Sequence, residues 1–378
     1  MVYDGGSGLH GCSVLYDAYD PDPARRYKLC GMLDVGRPQA DPDWLGVDMA
    51  FSADGVDWRR SPQGRIAEQT SDALNKLVYN PLLGEYALLH RSAHADRRVS
   101  LRLSRDLAQW TPPSVILHPG TRYDDGATGM QYYGMTAKYM DGVFYGLLWQ
   151  FRTRLQGDDF SRKLGYMEPE LVYSHDGREY VPTTGRALME RPLPPAPGCA
   201  GLSPQDICES ADGREYYILC SGWRYAHADF ATEPRLREMG VALPEGGGSP
   251  VYRIRRDGFC ALESVEPGGL VITKGLELLG DDLSFNLRAD LGVVRFGLMD
   301  LSGRWLEGFS LDDCLPLGGV NDLDARPAWR GHALREVLGR RLRVAVELNN
   351  AMLHAVTATA RPSIRQRQHS FADPQGEG

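Results

Sequence analysis

Apolar and polar residues alternate along the first two-thirds of the chain in short runs, the period of strands with one face buried. One series comprises Ser13 to Asp17, Arg26 to Gly31 and Gly46 to Ser52, then the turn Asp54-Gly55 and Trp58. A second comprises Leu74 to Tyr79, Glu85 to Arg91 and Val99 to Ser104, ending in Asp106 and Trp110. The third has Gln131 to Tyr139, Val143 to Phe151 and Leu171 to Ser174, ending in Asp176, Gly177 and Tyr180. A looser fourth has Asp206 to Glu209, Glu215 to Cys220 and Val251 to Arg255, ending in Asp257, Gly258 and Phe259.

The return of the same turn at the same point of each series is a repeat. Its spacing leaves room for a four-stranded sheet per copy, which describes the blades of a β-propeller. Asp54, Asp106, Asp176 and Asp257 are therefore read as turn residues whose carboxylates bond backbone amides, and Trp58 and Trp110 as packing between blades. From Gly268 the rhythm changes to Leu270–Thr273, Leu283–Leu287, Val293–Met299 and Leu342–Leu348, the pattern of a β-sandwich. The reading is all-β: a propeller over 1–267, a sandwich over 268–358, and a polar Gly- and Pro-containing tail over 359–378 expected to be disordered.

Composition narrows the function. A net charge of −8 argues against nucleic acid, whose binding rests on clustered Lys and Arg, and the run Arg335 to Arg343 reads as a solvated face. No basic stretch followed by an apolar run opens the chain and no window reaches the length of a membrane span, so no membrane association is expected. The seven cysteines lack any C-x-x-C pair, which favours reduced, mostly buried thiols over a disulfide or zinc framework and points to a cytoplasmic setting. No metal motif, nucleophile elbow or phosphate-cradling glycine loop is present, and no cofactor is indicated.

Three stretches, Asp20-Pro-Asp-Pro-Ala-Arg-Arg-Tyr-Lys28, Gln131-Tyr-Tyr-Gly-Met135 with Gly146-Leu-Leu-Trp149, and Gly308-Phe-Ser-Leu-Asp-Asp-Cys314, resemble bacterial glycoside hydrolases related to family 32. These belong with family 43 to the furanosidase-type five-bladed propellers. The resemblance spans about residues 10–356 and lies in the order of the motifs. It implies five blades, a funnel that binds sugar, and carboxylates supplied by the innermost strands. It also implies a blade ahead of the Asp20–Lys28 stretch that carries one essential carboxylate; only Met1 to Gly11 precede the first strand here, so four of five blades are expected.

Glycoside hydrolysis needs two carboxyl groups of opposite role. Asp72 and Asp206 precede or open inner strands, Asp124 and Asp125 lie before the third inner strand, and Glu209 follows; Asp72, Asp125, Asp206 and Glu209 are the catalytic candidates, with turn or cap roles as the alternative. Glu168 and Glu170 share one strand face, read as solvated. Sugar recognition needs flat apolar faces and hydrogen-bonding side chains, for which Tyr132, Tyr133, Trp149 and Trp223, and His10, Asn75, His90, Arg91, Gln131 and His227, qualify.

The expected function is glycosidase-like chemistry on a sugar or glycosylated small molecule. A lyase, isomerase or cyclase on the same scaffold, or a carbohydrate-binding protein without turnover, are the alternatives. A gap left by the absent blade would expose strand edges, so a homodimer, or closure by the chain's own N-terminus and the loop Arg224 to Ser249, is expected.

Overall fold

A computed structural model describes residues 9–33, 46–67, 73–91, 97–120, 128–154, 164–229, 232–240, 247–265 and 268–363. Strands make up 56 % and helices 4 %, which establishes the all-β class. Two compact units divide the chain: Met1–Ser210 with Tyr216–Arg253, and Ala211–Glu215 with Ile254–Gly378.

The first unit is a series of four blades. Strands β1 (Leu9–Tyr16), β2 (Tyr27–Leu33), β3 (Asp48–Ser52) and β4 (Trp58–Arg60) form one antiparallel sheet in sequence order. Strands β5 (Lys76–Asn80), β6 (Glu85–His90), β7 (Val99–Ser104) and β8 (Ser114–Leu117) form the next. Strands β9 (Thr128–Met140), β10 (Val143–Arg154), β11 (Gly165–Ser174) and β12 (Val181–Ala187) form the third. The fourth has β13 (Gly201–Glu209), β14 (Glu215–Trp223), β15 (Gly247–Gly248) and β16 (Val251–Arg255). A single parallel bridge, Met167 to Gly201, touches the third blade to the fourth. A short helix, α1 (Thr232–Glu238), lies between β14 and β15.

Alternation explains why these strands stack as blades. Successive side chains of a strand point to opposite faces, and in β6 Tyr86 and Leu88 join Cys30, Val47 and Met49 of the first blade, whereas Ala87 and Leu89 join Phe144, Leu148 and Val172 of the third. Every residue of β6 is buried for that reason. The innermost strands follow one another, β1 against β5, β5 against β9 and β9 against β13.

The repeated turn is one construction used three times. Ser52, Ser104 and Ser174 each bond the carboxylate two residues on (2.9, 3.1 and 2.9 Å), and each Oγ accepts the amide three residues on at 2.9 Å. Asp54, Asp106 and Asp176 then accept the two following amides at 2.8–2.9 Å. Amide hydrogen bonds hold the Asp54 and Asp106 carboxyls below their ordinary value. The turn needs a positive φ at its fourth residue, supplied by Gly55 and Gly177 but by Leu107 (φ 64°) in the second blade. The fourth copy departs from this plan: Asp257 itself takes φ 56°, and its carboxylate pairs with Arg256 at 3.7 Å. Trp110 packs between the first two blades, as its position predicts, while Trp58 covers Leu29 and Ala50 of its own sheet.

The Asp20–Lys28 stretch folds into a buried lock. Lys28, with no exposed side-chain surface, reaches Asp17 at 3.0 Å, Asp20 at 2.8 Å and the Arg25 carbonyl at 2.7 Å. Tyr86 of the second blade donates to the same Asp17 carboxylate at 2.6 Å. Farther along, Arg178 from the third blade's turn makes a two-point contact with Glu85 of the second, both bonds 2.8 Å, and Asn80 donates to the Asp176 carbonyl at 2.7 Å.

The second unit contains β17 (Leu262–Ser264), β18 (Gly269–Ile272), β19 (Leu276–Leu278), β20 (Ser284–Met299), β21 (Leu317–Ala325), β22 (Arg341–Asn349), β23 (Ala351–Thr357) and β24 (Ala360–Pro362). The runs Leu283–Leu287 and Val293–Met299, separate in the sequence pattern, are halves of one strand. Phe285 and Phe296 would stand about 36 Å apart on a straight strand, yet their rings touch at 4.3 Å, so β20 folds back on itself. The fold falls at the register break between Ala289 and Val293, where a side chain at Gly292 would collide with the Asn350 carbonyl. The first half pairs with β23 and the second with β22, while β21 follows both halves across the break, and Phe285, Leu287, Phe296, Val344 and Val346 share the enclosed core. Ala360–Pro362 pairs with β19 where the sequence pattern reads as tail; residues 364–378 lie outside the described residues. All seven cysteines are free thiols; Cys30, Cys220 and Cys314 are buried, Cys12, Cys199 and Cys208 half-buried and Cys260 exposed, fewer buried than the composition suggests.

Candidate functional site

The inner strands bring an aromatic and cationic cluster together near their starts. Gly134, opposite Trp149 in the β9–β10 register, leaves room for the indole, since a Cβ there would stand 3.0 Å from the ring. Trp149 donates its N–H to the Pro204 carbonyl at 2.9 Å and stacks on Tyr133, with ring centres 6.4 Å apart. Gly201 makes the same room for Trp223. His227 is fixed by its backbone N–H, which donates to the Gly165 carbonyl at 2.8 Å, and by its Nε2, 3.0 Å from the Tyr133 hydroxyl. Trp223 lies 5.6 Å from the His227 ring.

Two guanidinium groups sit on the same phenol ring, Arg91 at 4.4 Å and Arg97 at 5.0 Å from its centre. Such cation–π contacts contribute about 0.5–2 kcal/mol each and orient the cation. Arg97 also lies 4.9 Å from the Phe151 ring and donates to Gln131 Oε1 at 2.6 Å. Tyr133 and Trp149 are buried and form a floor; Trp223, His227, Gln131 and Arg97 are half-buried and form its accessible rim. Of the binding candidates, then, Arg91, Gln131, Tyr133, Trp149, Trp223 and His227 come together, with Trp149 as support beneath the surface. The sequence reading missed Arg97 and Phe151, which lack any repeat position to mark them.

Asp206 follows on β13, beyond the Pro204 carbonyl that takes the Trp149 N–H. A bulge between Pro204 and Asp206 turns its carboxylate, which pairs with Lys76 at 2.8 Å. Lys76 is buried in β5, and burial lowers its pKa while Asp206 works against that shift. A lysine inside the apolar run Leu74 to Tyr79 is the signal that could have singled it out.

The other candidates are dispersed. Asn75 is buried and ties β5 to β1, with its backbone N–H 2.8 Å and its Nδ2 3.2 Å from the Gly11 carbonyl. His10 is exposed on β1. Glu209 is exposed at the end of β13, about 26 Å of strand from Gly201. His90 is buried and burial pushes its pKa down to about 4, so it is neutral at pH 7. Tyr132 is buried in the core between the second and third blades. Asp72, Asp124 and Asp125 lie outside the described residues. The solvated face assigned to Glu168 and Glu170 needs correcting: Glu168 pairs with Arg191 at 2.9 Å, but Glu170, on the central strand β11 between β10 and β12, is fully buried and accepts a hydrogen bond from Gln150.

No family model matches this chain, and no curated protein matches it. Among solved structures it is similar to an N-acetylgalactosamine deacetylase from F. plautii in complex with blood group B trisaccharide: 10 % identity over 66 % of this chain and 90 % of that one, TM-score 0.41. It is also similar to a mutant Bombyx mori family 32 β-fructofuranosidase in complex with sucrose: 10 % identity, 94 % and 92 % coverage, TM-score 0.40. A third likeness is to the exo-β-1,3-galactanase of Phanerochaete chrysosporium with galactose: 9 % identity, 94 % and 98 % coverage, TM-score 0.32. Two of these three, the β-fructofuranosidase and the galactanase, carry glycosidase names.

Proposed function

We propose that the chain is a glycosidase-like enzyme that binds a sugar or glycosylated small molecule over the rim formed by Trp223, His227, Arg97 and Gln131. The observation that carries this reading is the convergence of an indole, an imidazole, a guanidinium and an amide around one floor. An apolar plane meets the C–H face of a pyranose or furanose, and the polar groups match its hydroxyls. In this reading Asp72 and Asp125, which precede β5 and β9 in the sequence, supply the acid and base, and Asp206 contributes from β13.

A second reading, a lyase, isomerase or cyclase for a polar metabolite, is favoured by the Tyr133–His227 couple. A phenol hydrogen-bonded at 3.0 Å to an imidazole can move one proton without a carboxylate pair. Incubation of the full chain with a panel of oligosaccharides and polar metabolites, read by mass spectrometry, separates the two. Cleavage products lost in Asp72→Asn and Asp125→Asn support hydrolysis. Products of unchanged mass lost in His227→Gln support the second reading, and retention without conversion reduces the protein to a binder.

A further inference from the structure

Further along β13 from the aromatic floor, three inner strands place two lysines on one stretch. Lys76 comes from β5 and reaches Asp206, two blades away, so its side chain crosses the central channel. Lys138 comes from β9, next to β13, and donates to the Ile207 carbonyl at 2.8 Å. The two ammonium groups are close enough that the charge on Lys138 lowers the pKa of Lys76.

An ammonium carries three N–H donors. Among the described residues Lys76 has one acceptor, Asp206 Oδ1, and Lys138 has one, the Ile207 carbonyl. Two donors on each cation, four in all, thus have no acceptor among the described residues. The Lys76 side chain is only 5 % exposed, where unsatisfied donors cost most. Asp206 uses Oδ1 for both Lys76 and the Ile207 amide at 2.8 Å; its side chain is 32 % exposed, so solvent reaches the cluster. One carboxylate against two ammonium groups leaves a net positive charge.

We propose that the channel holds a small oxyanion, a phosphate or carboxylate group, between Lys76 and Lys138, with the outer oxygen of Asp206 accepting a hydroxyl of the same ligand. This site does not depend on the sugar rim. The anion takes up the four donors, and the net charge sets its sign.

The test is calorimetric titration of the full chain at pH 7 with inorganic phosphate, against chloride at matched ionic strength, and then with a hexose phosphate and a hexuronate. Saturable one-to-one binding is expected, weakened at least tenfold in Lys138→Gln and strengthened in Asp206→Asn, which removes the competing negative charge. A purely structural Lys76–Asp206 pair would not give tighter binding in Asp206→Asn. Stronger binding of the hexose phosphate or hexuronate than of phosphate assigns an organic ligand, and the reverse assigns the free inorganic anion. Binding no stronger than chloride for all three, or unchanged affinity in both variants, overturns the proposal.

Discussion

Replacing Lys28 by Met removes one charge and almost no volume, and isolates the contribution of the lock between the first two blades. The Asp17 and Asp20 side chains, 0 % and 5 % exposed, then face each other without the ammonium that both contact. Breaking a buried ion pair by removing one partner costs about 3–5 kcal/mol, because the charge left behind stays desolvated. In a unit of this size each kcal/mol moves the unfolding temperature by about 2–4 °C, so scanning calorimetry should show a fall of about 6–20 °C in the propeller transition. The sign of the pH dependence sharpens the test. Burial works to raise the Asp20 pKa, but bonds from Lys28 and the Asp22 amide and the charges of Lys28 and Arg25 outweigh it and hold the value below normal. The wild type therefore has this stabilisation above about pH 4 and loses it as pH falls further. In Lys28→Met, Asp20 has lost the bond and the charge that oppose its desolvation and hold its pKa down, so it protonates more readily and the deficit should shrink as pH falls from 7 toward 4. A loss under 1 kcal/mol, or a deficit constant across that range, would refute the reasoning.

Three further outcomes follow from the same geometry. Arg178→Ala strips Glu85, whose side chain is 4 % exposed, of its two-point partner and should cost about 1–3 kcal/mol in urea unfolding, while a surface Arg→Ala control costs under 0.5. His90, neutral in the fold with a pKa near 4 and near 6.5 when unfolded, makes the wild type lose stability as pH falls through that window, by up to about 3 kcal/mol; His90→Leu should flatten this slope. Gly177→Ala should destabilise by about 2–3 kcal/mol and more than Gly55→Ala: both take positive φ, but a Cβ at 177 stands 2.8 Å from Phe144 whereas one at 55 meets Tyr27 at an ordinary 3.5 Å.

The blades were legible because their signals are local. Alternation placed β2, β6, β7, β10 and β14, and the serine–aspartate turn marked three sheet ends by hydrogen bonds made within five residues. Where the signal is long-range the sequence reading was weaker. Nothing local distinguishes the bent β20 from two strands, since the close approach at its bend is between Gly292 and Asn350, far apart in the sequence. Asp20 to Lys28, prominent as a motif, is a structural lock whose second half, Tyr86, lies in another blade. The site shows the same division. Residue type and loop position single out Tyr133, Trp223 and His227, which the fold brings together, but Trp149 and Asn75 are support and Glu170 is buried. Arg97 and Lys138 make contacts with residues 34 and 69 positions away, which no local pattern reveals, whereas Lys76 is marked by being a lysine within a strand-forming run.

The central claim, that the Tyr133 floor and its rim hold a polyhydroxylated ligand, is tested most directly by titrating a glycan panel into the wild-type chain and into Trp223→Ala. The account predicts saturable binding of at least one sugar and at least a tenfold loss in the variant, about 1.4 kcal/mol, with the unfolding transition of the variant otherwise retained. Absence of binding across the panel, or equal affinity in wild type and Trp223→Ala, would contradict it.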